Sequence, residues 1–206
     1  TALAGAMRNF QSNLVDFRTG FVFAIPAFIG VYFARAYLID IIPNYIMIFS
    51  FSLLKETAIM IFFALIMLLA SYFMICGHKE DNSDLEISYN KIILIVEGLI
   101  IGVLTGIVGA GGGFLIIPAL VLFAKLPMKK AVATSLMIIA IKSLFGFIGD
   151  IGNENLIFDW PLLFFFSSIS IIGIFFGVYL TKFIDGRNLK KGFGWFVLAM
   201  AVVIIF

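Results

Sequence analysis

The stretch GIVGAGGGFLIIP, Gly106 to Pro118, decides how this chain is read. Gly109, Gly111, Gly112 and Gly113 crowd together in it, yet the residues on either side are as apolar as any in the sequence. Glycine frees a backbone to leave helical geometry and weakens any helix that contains it. Backbone that leaves a helix inside hydrocarbon strands N–H and C=O groups, unless protein or a wet cavity surrounds them. The cluster therefore predicts a helix broken inside a membrane protein, with the break turned away from lipid.

The flanks have unequal reach. Ile92 to Val108 is about 17 residues, ~25 Å as a helix, and nearly crosses a bilayer; Phe114 to Ala124 is about 11 residues, ~16 Å, and reaches halfway. A half-helix starting at Phe114 would aim its free N–H groups and positive dipole end at the break, which suits an anion. Broken helices mark the substrate sites of transporters. Gly98, Gly102 and Gly106, four apart on one face, read instead as a close-packing stripe. No Gly-Lys-Ser/Thr follows, so the glycines are not a nucleotide phosphate loop.

Composition points the same way. Hydrophobic residues make up 63% and charged residues 13%, against roughly 45–50% and ~25% in a soluble domain. Apolar runs at Thr19 to Ile39, Thr57 to Cys76, Ala131 to Ile148, Pro161 to Ile184 and Gly192 to Phe206 each approach the length of a membrane-crossing helix. They lack the two-residue alternation of a barrel strand. The fold class expected is all-α: a polytopic membrane helix bundle with two homologous repeats and a glycine-broken helix. A net charge of +2, with basic residues spread over short loops, excludes nucleic acid as a partner. Cys76 and His78 are the only residues of their kinds, so no internal disulfide, metal site or cofactor is expected.

The chain repeats itself. LVDFRTGFVFAIPAFIGVYFARAYLI from Leu14 answers to IFDWPLLFFFSSISIIGIFFGVYLTK from Ile157, pairing Asp16 with Asp159, Gly30 with Gly173 and Ala34 with Gly177. LLKETAIMIFFALIM from Leu53 answers loosely to NLKKGFGWFVLAMAV from Asn188, and Gly5 falls opposite Gly146. Residues 1–76 form the first repeat, 77–91 a polar linker and 92–206 the second repeat. Counterparts of Lys91 to Ile141 are expected before Thr1, so the first repeat reads as truncated at its front. Asp16 and Asp159, at matching helix starts, read as N-terminal caps.

A polar stripe faces the glycines. Ser135, Lys142, Gly146 and Gly149 are seven, four and three residues apart, which places them on one helical face. Lys142 lies near mid-span, where a charge is kept in a bundle interior or a cavity; the alternatives are snorkelling to an interface or pairing with Glu97. Thr134 and Ser135 either donate to an oxyanion or bond the preceding turn. Arg18 and Arg35, near the ends of one apolar run, read as snorkelling. Candidate substrate-binding residues are Gly109, Gly111, Gly112, Gly113, Thr134, Ser135 and Lys142.

GAGGGFLIIPALVLFAKLPMKKAVATSL, with its glycine cluster, Pro118, Pro127 and Ala-Thr-Ser at 133 to 135, resembles the TauE/SafE sulfite exporter family of membrane permeases along the whole chain. The resemblance implies a multi-pass carrier in the plasma (inner) membrane for sulfite, organosulfonates or related small inorganic or organosulfur anions. Lys142 has no counterpart in that pattern and rests on the physical argument alone. Lys and Arg crowd AKLPMKK and TKFIDGRNLKK, whereas Asp150 to Asp159 has acids only, so the first two loops are expected in the cytoplasm and the last outside. The linker and the segment near Arg8 and Arg18 become cytoplasmic only if the repeats are inverted. The competing function is a non-transporting scaffold or assembly subunit; an enzyme is not expected, because no His–carboxylate or Ser–His set lies at membrane depth.

Overall fold

The computed structural model describes residues 2–11, 14–43, 45–48, 51–77, 91–109, 113–151 and 159–205. Their helices are α1 (Ala2–Gln11), α2 (Phe17–Phe33), α3 (Ile39–Ile41), α4 (Lys55–Cys76), α5 (Lys91–Val108), α6 (Gly113–Leu122), α7 (Met128–Ile151), α8 (Trp160–Leu180) and α9 (Gly186–Ile205). A π-helical stretch, Ala34–Leu38, carries α2 into α3. Among the described residues, Phe17–Leu38, Lys55–Cys76, Trp160–Leu180 and Gly186–Ile205 are long and apolar enough to cross a membrane. The molecule is a helical membrane protein, as the apolar runs predict.

One element lies outside the all-helical expectation. β1 (Tyr45–Ile48) and β2 (Phe51–Leu54) form an antiparallel hairpin in which Tyr45 pairs with Leu54 and Ile48 with Phe51. Pro43 cannot donate to a helical bond, and the residues that follow are rich in Ile, Phe and Tyr, which fit a pleated surface. Lys55 then donates from Nζ to the carbonyl of Ile39, tying the start of α4 to α3.

Both capping aspartates act as the sequence predicts. Asp16 accepts from the Thr19 N–H at 3.1 Å and the Thr19 hydroxyl at 2.8 Å. Asp159 accepts from the Leu162 N–H at 3.1 Å. Each satisfies a donor that the first turn of a helix leaves without an internal partner.

The glycine stripe of α5 seats that helix on α2. A Cβ at Gly98 would stand 2.5 Å from the Phe23 carbonyl, one at Gly102 would meet the Ala27 carbonyl, and one at Gly106 would stand 2.7 Å from the Ala34 Cβ. The contacts advance in step, so α2 and α5 run parallel. α4 packs on α9, where Gly194 lies against Met74 and Ile75. The main core gathers Phe23, Met74, Leu120, Leu126 and Met128; a second cluster joins Phe63 and Met67 of α4 to Leu115 of α6 and Val197 of α9.

Directions follow from the same contacts. The Asp16 N–H donates to Thr134 Oγ1 at 3.1 Å, and Gly20 packs against Met137, so α2 runs parallel to α7. Gly5 lies against Leu136 and Ile174, while Asn9 shares a cavity with Lys129 and Thr181. Thus α1 runs antiparallel to α7 and parallel to α8. α7 and α8 follow each other with only a short stretch between them, and α8 returns. α2 and α8 therefore point in opposite senses.

Candidate functional site

α5 ends at Val108 and α6 begins at Gly113. Gly109 follows the last turn of α5 with φ +73°, where glycine alone is at ease, and its N–H still donates to the Thr105 carbonyl at 3.1 Å. Gly111 and Gly112 lie outside the described residues. Ile116 of α6 and Thr105 of α5 line one small cavity, so the first turns of α6 meet the last turns of α5. A Cβ at Gly113 would stand 3.0 Å from Ile139 Cδ1, which sets the N-terminus of α6 against α7 one turn before Lys142.

Lys142 is half-buried and lines that same cavity, together with Thr105, Ile116, Ile138 and the Ala27–Val31 part of α2. The cavity holds about 20 Å³, room for roughly one water. Arg35 lies at the start of the π-helical stretch. π-Helical turns interrupt regular helices and recur at functional positions. Glu97 is only 9% exposed and its Oε2 has no hydrogen-bond partner, so that oxygen makes no pair with Lys142.

The two hydroxyls read as candidates go elsewhere. Thr134 is fully buried and accepts from the Asp16 N–H, joining α7 to the start of α2. Ser135 donates to the Val132 carbonyl at 2.9 Å, the back-bonding alternative. Neither lines the cavity beside Lys142. Gly146 and Gly149 lie further along α7. Cys76 is exposed at the end of α4, His78 lies outside the described residues, and no cluster of His, Cys, Asp or Glu able to hold a metal occurs among the described residues.

Thr105 was not among the residues singled out from the sequence. It is 5% exposed and donates to the Gly102 carbonyl at 3.1 Å, the same back-bond to the preceding turn that Ser135 makes, but unlike Ser135 it lines the cavity beside Lys142. Its signal is faint but present: a hydroxyl set inside a stripe of glycines, between Gly102 and Gly106.

These features define a polytopic helical membrane protein with a cationic, hydroxyl-bearing pocket where helix ends meet in its interior. The family model for the sulfite exporter TauE/SafE matches residues 1–204, and the chain belongs to that family. It is 34% identical over 116 residues to a protein of Methanocaldococcus jannaschii described as a probable membrane transporter, covering 53% of this chain and 43% of that one. A Bacillus subtilis relative of the same description, YunE, is 29% identical over 118 residues, 54% of this chain and 42% of its own. A third, from Xylella fastidiosa, is 28% identical over 162 residues, 74% and 60% of the two chains. The chain thus spans about half the length of the curated relatives it matches. No solved structure matches it.

Proposed function

We propose that this chain is part of a plasma-membrane carrier for a small anion, of the sulfite or organosulfonate class, that works by alternating access between two inverted repeats. The observation that carries this reading is that Lys142 and Thr105 line one small cavity with Ile116 from the first turn of α6. A cation and the positive end of a helix both favour a bound oxyanion, and the Thr105 hydroxyl would add a donor on turning from the Gly102 carbonyl. Gly109, at φ +73°, lets the chain leave α5 shortly before α6 begins at Gly113. Ser135, two turns before Lys142 on the same face of α7, and Thr134, at the joint with α2, belong to the wall that supports it.

The cavity is too small for an oxyanion with any hydration, so its walls must part for substrate to bind. Motion of one repeat against the other fits this need. Names carried by relatives support the transporter reading: three of them are described as probable membrane transporter proteins. The family name supports the anion class.

Counterflow in proteoliposomes tests the reading. Vesicles loaded with sulfite, or with a small alkanesulfonate, should accumulate the labelled anion from outside, and a chloride-loaded control should not. Correctly inserted protein that shows no exchange of any oxyanion would instead support the scaffold role.

A further inference from the structure

No residue of α8 is buried. Lipid alone could cover a helix whose faces were all bulky, but one face of α8 is not. Ser167, Ser170, Gly173 and Gly177 follow one another along it, and a Cβ added at Gly173 or Gly177 would meet nothing within 4 Å. Counted from the two capping aspartates, these residues are the counterparts of Ala24, Ala27, Gly30 and Ala34 in α2. In α2 that face is filled. A Cβ at Gly30 would stand 2.5 Å from the Leu99 carbonyl of α5, and Ala34 is fully buried beneath Gly106. Phe23 is 0% exposed, whereas its counterpart Phe166 is 60% exposed.

The neighbours repeat the comparison. α2 lies between α7 on one side and α5 on the other. α8 packs on α1, which is the counterpart of α7, and among the described residues no helix packs on it as α5 packs on α2. At the foot of α8 the gap widens into an open cavity of about 390 Å³, lined by Gly177 and Thr181 with Asn9 of α1 and Lys129 of α7. Asn9 is 5% exposed, so a polar side chain of the interior borders a space that nothing fills.

From this we infer that the small-residue face of α8 is the seat of a helix of α5's kind: a membrane helix with glycine or another small residue at every fourth position. It is supplied by sequence of the same polypeptide outside residues 1–206. The curated relatives extend well beyond the part of them that this chain matches, which leaves length for a further helix. The α2–α5 contact gives the chemistry of the pairing. Small residues on both helices let the backbones approach until carbonyls touch the facing chain, which is how membrane helices associate where the hydrophobic effect offers nothing. The inference rests on the proposed correspondence of the two halves, and on no assumption about the transported anion.

A cross-linking experiment tests it. Residues 1–206 carrying Cys76→Ser and Ser170→Cys are placed in bicelles with a synthetic peptide of residues 91–108 carrying Gly102→Cys, because Ala27, the counterpart of Ser170, is the residue that Gly102 meets. A disulfide should form between chain and peptide, at a yield roughly tenfold above that of a peptide whose Gly98 and Gly106 are replaced by Leu. Gly173→Phe, at a site with space around it, should fold and should abolish the product. Two outcomes overturn the proposal. A disulfide between position 170 of two copies would make the face a contact between chains. Absence of any disulfide, with position 170 freely labelled by a lipid-soluble maleimide, would make it a lipid-facing surface. Neither outcome bears on anion counterflow, so a failure here is separable from a failure of the carrier reading.

Discussion

Lys142 is the residue on which the anion reading turns, and its depth in α7 was legible from the sequence because a 3.6-residue period places a mid-span lysine beside Ser135 without any tertiary information. Thr105 was not legible: its spacing along α5 says nothing about which residue of α7 lies opposite. Thr134 and Ser135 show the converse, since a hydroxyl at the right height on the right helix can be engaged by a cap or by its own preceding turn. If the Lys142 amine attracts substrate, Lys142→Met should raise the anion Kd by more than about tenfold, ~1.4 kcal/mol. Lys142→Arg should fall between Met and wild type, because charge is kept while shape differs. Thr105→Val removes one oxygen and should cost about 1 kcal/mol, roughly a fivefold rise in Kd. Binding titrations with expression matched decide the matter; equal affinities for wild type and the Met variant would remove Lys142 from the site.

At the scale of elements, what needed only neighbours in sequence was readable and what needed distant partners was not. The Asp16 and Asp159 caps follow from a short acidic side chain three residues before a free N–H, and both form. The packing role of Gly98, Gly102 and Gly106 follows from their four-residue spacing. The β1–β2 hairpin escaped because an apolar run of that length has no period that separates strand from helix, and Pro43 gave the only hint. The two caps also differ in setting, and the difference is measurable. Asp16 is half-buried, holds both the backbone and the hydroxyl of Thr19, and starts a helix locked to α7; Asp159 is exposed and is given a single N–H to hold. Asp16→Ala should therefore cost about 1–2 kcal/mol, and Asp159→Ala about 0.5 kcal/mol, within the range of lost caps. Thermal unfolding in detergent should show the larger fall in Tm for Asp16→Ala and partial recovery in Asp16→Asn. Equal falls would mean that the Thr19 hydroxyl contact adds nothing to the cap.

Across the whole molecule, α2 and α8 point in opposite senses, which the sequence could suggest only through its loop charges. Interior contacts supply the stronger argument. Asp16 meets Thr134 near the start of α7, Asn9 and Thr181 share a cavity with Lys129, and Gly194 near the start of α9 lies against Ile75 near the end of α4. The end of α1, the end of α4, the start of α7 and the start of α9 therefore gather on one side of the bilayer, and the start of α8 lies on the other. Lys125, Lys129, Lys130, Lys182, Arg187, Lys190 and Lys191 belong to the first side, and the distribution of basic residues predicts that this side faces the cytoplasm. Labelling with a membrane-impermeant maleimide follows directly. In inside-out vesicles, native Cys76 should react, and in a Cys76→Ser background so should Phe10→Cys, Lys125→Cys and Asn188→Cys, all at exposed positions. Trp160→Cys should react only in right-side-out cells. Parallel repeats would instead put the starts of α2 and α8 on one face, so Phe10→Cys and Trp160→Cys would label from the same side. That result would overturn the inverted arrangement and, with it, the opposed motion of two halves about Lys142.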